Sequence, residues 1–302
     1  MTNAKIHTAT VVASEGLCRE HRRLVVDVVG FGAASPGQFV HICPDPHETR
    51  DTARHGAAGP MLRRAFSIAG LQAHGDRTRI DIVYRVVGRG TTWMASLVRG
   101  GSMSVLGPVG NAFPINASKP IAWLVAGGVG LPPMFWLAEA LQRAGVGGVA
   151  FCGARSRDLL ALSLDADHLP PPDARTATPC AAEFARHGVP VVLSTDDGTL
   201  GFAGHIGQAL AAYGAAHPTD PSAITVYTCG PEPMMRFVAA YCVDRDIECH
   251  VCAERAMACG MGTCQSCVIP VRDELDPDGW RYALCCTHGP VFDARRIIWE
   301  TP

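Results

Sequence analysis

Five cysteines crowd the C-terminal stretch of this 302-residue chain: Cys259, Cys264, Cys267, Cys285 and Cys286. The first three stand in Cys259-Gly-Met-Gly-Thr-Cys264-Gln-Ser-Cys267, a C-x4-C-x2-C spacing with a more distant cysteine to follow. That is the pattern that holds a plant-type [2Fe–2S] cluster. A loop that turns three thiolates towards one small cluster must curl tightly, and Gly260 and Gly262 accept backbone angles closed to other residues. Backbone N–H groups of such a curl donate to the cluster sulfurs and raise its potential. Two other readings of the residues are a zinc site and a set of buried thiols. Zinc sites usually pair C-x2-C knuckles, and these five cysteines hold only one such pair, Cys264 and Cys267. Cys285 and Cys286 are adjacent, so spacing leaves the fourth ligand open between them.

A second kind of chemistry is suggested by glycine-rich turns. Ala126-Gly127-Gly128-Val129-Gly130-Leu131-Pro132-Pro133 follows an apolar run and opens a helical pattern. Glycines there let a pyrophosphate approach the backbone, and the helix N-terminus favours its charge. Any tight strand-to-helix turn also favours glycine, so the turn gains weight from a partner, Thr228-Cys229-Gly230-Pro231-Glu232-Pro233-Met234, again between a strand and a helix. Two such turns at one edge of a parallel sheet define a ligand crevice. Earlier in the chain, Arg64-Ala65-Phe66-Ser67 puts a cation, a ring and a hydroxyl on one short strand, with Arg64 and Phe66 on one face and Ser67 on the other. This set suits a flavin diphosphate, a stacking ring and a hydrogen bond, or else an ordinary polar strand. Gly88-Arg89-Gly90-Thr91 precedes a short helix, another anion-friendly N-terminus.

The elements that must position these groups follow from periodicity. Over residues 1–115, β-branched runs at Lys5–Ala13, Arg22–Val29, Gly37–Ile42, Arg64–Ala69, Arg79–Val87 and Ser102–Leu106 are separated by turn signals, which predicts a small antiparallel β-barrel with a short helix at Thr91–Val98. The polar segment His47–Pro60 reads as a mobile loop. Over 116–249, strands at Ile121–Ala126, Val149–Cys152, Val189–Ser194 and Ile224–Thr228 alternate with helices at Pro132–Ala144, Ile206–Tyr213 and Glu232–Asp244, which predicts an α/β domain on an open parallel sheet. Leu164–Thr178 reads as a loop. Residues 250–302 form a small cysteine-rich module.

Bulk properties narrow the function classes. A hydrophobic content of 48% supports full-sized cores, and a formal charge of −2 argues against a broad electrostatic grip on nucleic acid or anionic membrane. No run approaches the roughly 20 apolar residues of a membrane span, and Met1–Thr10 lacks a signal-peptide core. A cytosolic location is expected, where thirteen cysteines read as thiols or metal ligands rather than disulfides.

In order along the chain, these motifs resemble the ferredoxin–NAD(P)+ reductase superfamily: Arg-x-aromatic-Ser at Arg64–Ser67, then Gly127–Pro133, Thr195–Gly204 and Cys229–Met234. Within it, Met257–Cys264 and Cys286-Thr-His-Gly289-Pro290-Val291-Phe292 resemble the electron-transfer subunits of two-component, NAD-dependent dihydroorotate dehydrogenases, although His288 stands where that family commonly has Asp. The resemblance selects Cys286 as the fourth ligand beside Cys259, Cys264 and Cys267. It places FAD on Arg64, Ala65, Phe66, Ser67, Val83, Tyr84, Arg85, Gly90 and Thr91. It places NAD across Gly127, Gly128, Gly130, Cys229, Gly230 and Pro231, with Cys229 near the reacting carbon; strand-end packing is the other role open to Cys229. The implied partner is an FMN-containing catalytic subunit in a heterotetramer serving pyrimidine biosynthesis.

Three cofactors in one chain have a chemical logic. A nicotinamide moves an electron pair as hydride, a [2Fe–2S] cluster moves single electrons, and a flavin exchanges the two. The alternatives are a sulfhydrogenase or bifurcating NAD-ferredoxin subunit, which keeps the cofactors and changes the partner, and a redox sensor that binds flavin without turnover. Arg155 and Arg157 are candidates for a 2′-phosphate, or simply solvated.

Overall fold

Alternating apolar residues give the N-terminal part its sheet. In a computed structural model that describes residues 4–44 and 62–300, seven strands pair antiparallel: β1 (Lys5–Cys18), β2 (His21–Val29), β3 (Phe39–Pro44), β4 (Arg64–Ser67), β5 (Gly70–His74), β6 (Arg77–Arg85) and β7 (Ser102–Val109). Their order is β4-β3-β7-β1-β2-β6-β5. Leu24, Val26 and Val28 on β2 and Ile80, Ile82 and Tyr84 on β6 are buried at the strand period of two, filling the interior. The sheet curls as a barrel: just past β4, Ala69 N–H donates to Asp81 O on β6 at 2.8 Å. A short helix, α1 (Arg89–Ala95), follows β6, starting slightly before the expected Thr91. The expected loop His47–Pro60 lies outside the described residues.

The second sheet begins with parallel strands β8 (Ile121–Gly127), β9 (Gly147–Ala154), β10 (Val191–Thr195), β11 (Phe202–Ala203), β12 (Ile224–Cys229) and β13 (Glu248–Cys252). Helix α2 (Leu131–Arg143) and the short α3 (Ala182–Ala185) cover one face, with Phe135 edge-on to Phe184 at 5.3 Å. Helices α4 (Ile206–Ala216) and α5 (Glu232–Val243) cover the other. Leu131, Met134, Phe135, Leu137, Ala138 and Leu141 on α2 are all buried at helical spacing, which is why this segment folds onto a sheet. Leu164–Thr178, read as a loop, holds one short turn, Ala166–His168, and is pinned at its ends by single bridges from Leu164 to Ala181 and from Thr178 to Val191.

The chain steps outward from β8 through β9, β10 and β11, then returns to lay β12 on the other side of β8. That reversal is the switch point of an open α/β sheet, and the crevice beyond the strand ends there is where ligands bind. In the tail, β14 (Val268–Arg272) and β15 (Trp280–Leu284) form an antiparallel hairpin. β16 (Val291–Asp293) then lies antiparallel beside β13, completing the order β11-β10-β9-β8-β12-β13-β16. The expected division after residue 249 therefore falls inside β13. Among the described residues no helix is long and apolar enough to cross a membrane.

Candidate functional site

A cavity of about 520 Å³ lies between the barrel and the parallel sheet. Arg64, Ala65, Phe66 and Ser67 line it from β4, Val83, Tyr84 and Arg85 from β6, and Gly90 and Thr91 from α1. β4 is the end strand of its sheet, so its edge as well as its faces is open. The Phe66 ring stands edge-on to Tyr84 at 5.9 Å. Thr91 Oγ1 accepts from Val87 N–H (2.9 Å) and Gly88 N–H (3.1 Å), which fixes the turn into α1. Three guanidinium groups, of Arg64, Arg85 and Arg89, border one side. Arg85 is oriented by Glu20, whose Oε2 accepts from Nε at 2.7 Å, and that contact holds the Glu20 carboxyl below its ordinary range. Cations, rings and hydroxyls on one wall fit a ligand that has both an aromatic ring system and phosphates.

A second cavity, about 590 Å³, opens beside the first at the sheet's switch point. Gly127, Gly128 and Pro231 line it with Gly153, Arg155, Asp196 and Phe237, while Gly130 and Cys229 face the first cavity. Val129, Gly230, Arg85 and Glu254 border both, so the two spaces meet there. The two glycine turns are pressed together. A Cβ on Gly130 would lie 2.0 Å from Cys229 O, so only glycine lets the turns touch. Arg157, the other candidate for a 2′-phosphate beside Arg155, does not line either cavity; its N–H donates to Thr199 Oγ1 at 2.9 Å.

Several lining residues carry no motif signal. His21 is buried at the start of β2, and burial holds its imidazole below the ordinary range, hence neutral. Glu254 and the wall Arg255–Met257 were detectable only as the segment leading into the cysteine motif. Cys229 is buried opposite Cys252 in the parallel register of β12 and β13. The neighbouring Cys252 thiol first, and burial second, push the Cys229 thiol well above its ordinary range, so it is a protonated thiol at neutral pH.

The cysteine loop begins where that cavity wall ends. Cys259 Sγ accepts from Met261 N–H and Cys264 N–H, both at 3.4 Å. Cys264 is exposed and contacts Ser266 Oγ at 3.2 Å; with the Ser266 hydroxyl as the main cause, its thiol is drawn down to about 6. Cys267 and Cys286 are buried against each other, and the Gly262 backbone N–H donates to Cys286. Burial, then the Cys267 side chain, push Cys286 up to about 12. Cys264 thus has Cys259 and Ser266 beside it, and Cys286 has Cys267 beside it, with Cys259 near enough to act on it through its charge. Among the described residues no three such side chains converge on a single metal-ion position. Cys285, fully buried, sits in the hydrophobic cluster around the tail and feels Cys252 as well as Cys267.

Known proteins resemble this chain along most of its length. Residues 254–298 match the family model described as the iron-sulfur cluster binding domain of dihydroorotate dehydrogenase B. The chain is 30% identical over 276 residues to the dihydroorotate dehydrogenase B (NAD+) electron transfer subunit of Lysinibacillus sphaericus, covering 90% of this chain and 88% of that one. It is 31% identical over 265 residues to the corresponding subunit of Bacillus caldolyticus, covering 87% and 86%. Among solved structures, an NADH-dependent reduced ferredoxin-NADP oxidoreductase superposes with a TM-score of 0.73 at 22% identity, covering 96% of this chain and 90% of the other, a likeness of fold. With near-complete coverage of curated relatives on both sides, the chain belongs to the family of dihydroorotate dehydrogenase B (NAD+) electron transfer subunits.

Proposed function

We propose that the chain is an NAD-linked oxidoreductase subunit that passes electrons between NAD and a catalytic partner that oxidises dihydroorotate. The observation that carries this reading is contiguity. The second cavity shares Val129 and Gly230 with the first, and the first shares its wall, Glu254–Met257, with the segment entering Cys259. Three sites in an unbroken row fit NAD, FAD and a [2Fe–2S] cluster, because the flavin supplies the exchange between an electron pair and single electrons.

Each group's fit rests on residues of this chain. Arg64, Arg85 and Arg89 supply charge for a diphosphate, and Phe66 and Tyr84 supply apolar walls for a ring system. Gly127, Gly128, Gly230 and Pro231 offer backbone to a dinucleotide, as in other switch-point sites. Four thiols, of Cys259, Cys264, Cys267 and Cys286, would supply the four ligands that a diiron cluster needs. We take Cys286 as the fourth ligand: Cys267 is its hydrogen-bond neighbour and the Gly262 backbone another, whereas Cys285 meets Cys267 only through charge. The protonated Cys229 thiol lies where the two cavities join, and packs against bound ligand without acting as an acid or base near pH 7.

The relatives' names give NAD+ as acceptor and imply a catalytic partner. We assign that partner as an FMN-containing subunit, in a heterotetramer, with the exposed Cys264 side of the tail towards it. The test is purification from the native host under anaerobic conditions, with mass spectrometry of co-eluting proteins and an orotate-dependent NADH oxidation assay. Equal amounts of a dihydroorotate-oxidising flavoprotein, with orotate-dependent turnover, are expected. A hydrogenase or ferredoxin-linked partner would keep the cofactor row and overturn the pathway.

A further inference from the structure

His41 stands where the barrel meets the cysteine loop. It lies on β3, in register with Ala65 on β4, which borders the first cavity, and with Leu106 on β7. It is 0% exposed, and among the described residues neither Nδ1 nor Nε2 has a hydrogen-bond partner. A buried polar group left unpaired is costly, so such a group marks either strain or an absent partner.

The ring packs against the cysteine loop. A Cβ on Gly260 would fall 2.8 Å from His41 Nε2 and 2.9 Å from Cδ2 and Cε1. Gly260 also has φ 72°, so the loop needs glycine both for its conformation and for the imidazole packed against it. Gly260 follows Cys259 directly. On the other side, the Arg63 guanidinium is occupied with backbone and hydroxyl acceptors, His41 O and Ser104 O at 3.3 Å and Ser104 Oγ at 2.7 Å. The three near-equal distances place that Cβ over the face of the ring, so the cysteine loop covers one face of the imidazole and the ring's N–H runs in the plane alongside the loop, while Arg63 holds the His41 backbone on the barrel side.

We infer that His41 is a positioning residue for the iron–sulfur site, its ring shaping the loop from Cys259 to Cys264 and its N–H donating to a sulfur held there. The inference rests on the reading that Cys259, Cys264, Cys267 and Cys286 hold a [2Fe–2S] cluster. A neutral imidazole has one N–H to give, and an N–H directed at a cluster sulfur favours the more negative, reduced state. Because β3 also pairs with β4, the same residue joins the frame of the flavin-type cavity to that of the cluster loop.

The experiment compares the full, cofactor-loaded chain with its His41→Leu and His41→Gln variants by redox titration followed by electron paramagnetic resonance of the reduced cluster. Leu is expected to lower the cluster potential enough to shift electron occupancy about tenfold, which is about 59 mV for a one-electron couple. Gln, which keeps an N–H donor, is expected to recover most of that shift. Labelling wild-type histidines with 15N should also reveal a nitrogen coupling to the reduced cluster. Equal potentials in all three proteins, equal shifts in Leu and Gln, or absence of the coupling would overturn the inference. If the Leu variant fails to load, the wild-type nitrogen coupling decides. A wild-type protein with no reduced-cluster signal would instead overturn the cluster reading itself.

Discussion

Asn111 and Val291 exchange a pair of hydrogen bonds: Asn111 Nδ2 donates to Val291 O at 2.8 Å, and Val291 N–H donates to Asn111 Oδ1 at 2.9 Å. Asn111 follows β7, at the barrel's exit, while Val291 opens β16, the tail strand on the edge of the nucleotide-type sheet. One side chain therefore imitates a strand neighbour and joins all three parts of the molecule. Asn111 N–H adds a third bond, to Gly289 O at 2.7 Å.

Replacing Asn111 with Ala removes these two side-chain bonds and a further one, from Nδ2 to His288 O at 3.2 Å, and leaves the half-buried Val291 N–H without its acceptor. A loss of about 1–3 kcal/mol is expected, with a lower unfolding temperature and earlier release of flavin on heating. Asp in its place keeps the acceptor for Val291 N–H but loses the donor, and should fall between. Thermal unfolding followed by flavin fluorescence checks both; an Ala variant as stable as wild type would show that the joint is held elsewhere.

Cys286 and Cys285 differ in what they face, and serine variants separate them. Cys286→Ser should abolish most cluster incorporation, read as iron and acid-labile sulfide per chain and as visible absorbance. Cys285→Ser should keep the cluster and lose only modest stability, since it places a hydroxyl in an apolar cluster. The reverse result would move the fourth ligand to Cys285.

Arg64 is the end-strand cation of the first cavity, and among the described residues its Nη1 donates to the carbonyls of Leu62 (3.0 Å) and Arg63 (3.2 Å). Hydrogen bonds to charged groups contribute about 1.5–3 kcal/mol. Arg64→Ala should therefore weaken FAD binding roughly 10- to 150-fold. Flavin retained after dilution and ultrafiltration measures this, and unchanged retention would remove Arg64 from the flavin site.

What sequence alone revealed was local. The glycine turns and the cysteine spacing are determined by neighbouring residues, and so are the long apolar elements such as α2. β5 escaped because an exposed edge strand, Gly70–His74, shows little alternation; its hairpin is set by the two-residue turn Gly75–Asp76. β13 escaped because Glu248–Cys252 merges with the cysteine-rich tail. β16 is three residues long, and only its pairing with β13 makes it a strand. His21, Glu254 and His41 acquire their positions from contacts between distant parts of the chain, which no local pattern encodes.

The barrel should show an acid-sensitive pair at Asp27 and Arg79. Arg79 Nε and Nη2 donate to the two Asp27 oxygens at 2.9 and 3.1 Å, across β2 and β6, and hold the Asp27 carboxyl below its ordinary range. A carboxyl with a lowered folded-state pKa contributes stability above its unfolded value, near pH 4, and loses it as pH falls through the folded value. The pair is partly exposed, so the contribution is below about 1 kcal/mol. Asp27→Asn should lower stability slightly at pH 7 and make the curve flatter below about pH 4 than in wild type. Parallel acid limbs in the two proteins would assign the acid loss to other groups.

Two glycines of the first turn look alike in sequence and should behave differently. Gly128 has φ 53° and lines the second cavity with no protein atom within 4 Å of where a Cβ would stand, so Gly128→Ala should cost about 1–2 kcal/mol through backbone strain and weaken NADH binding, with a smaller loss of kcat/KM than Gly130→Ala. Gly130 has ordinary backbone angles, φ −80° and ψ −9°, but its Cβ would meet Cys229 O at 2.0 Å and Gly230 N at 2.6 Å. Those are backbone atoms, so no rotamer change relieves the clash, and the two turns must separate where both cavities share Gly230. Gly130→Ala should therefore lower kcat/KM for NADH by about 100-fold or more, since misplacing reacting groups by about 1 Å costs that much. Equal kinetics in the two variants would mean that the contact between the turns does not set the geometry between the cavities.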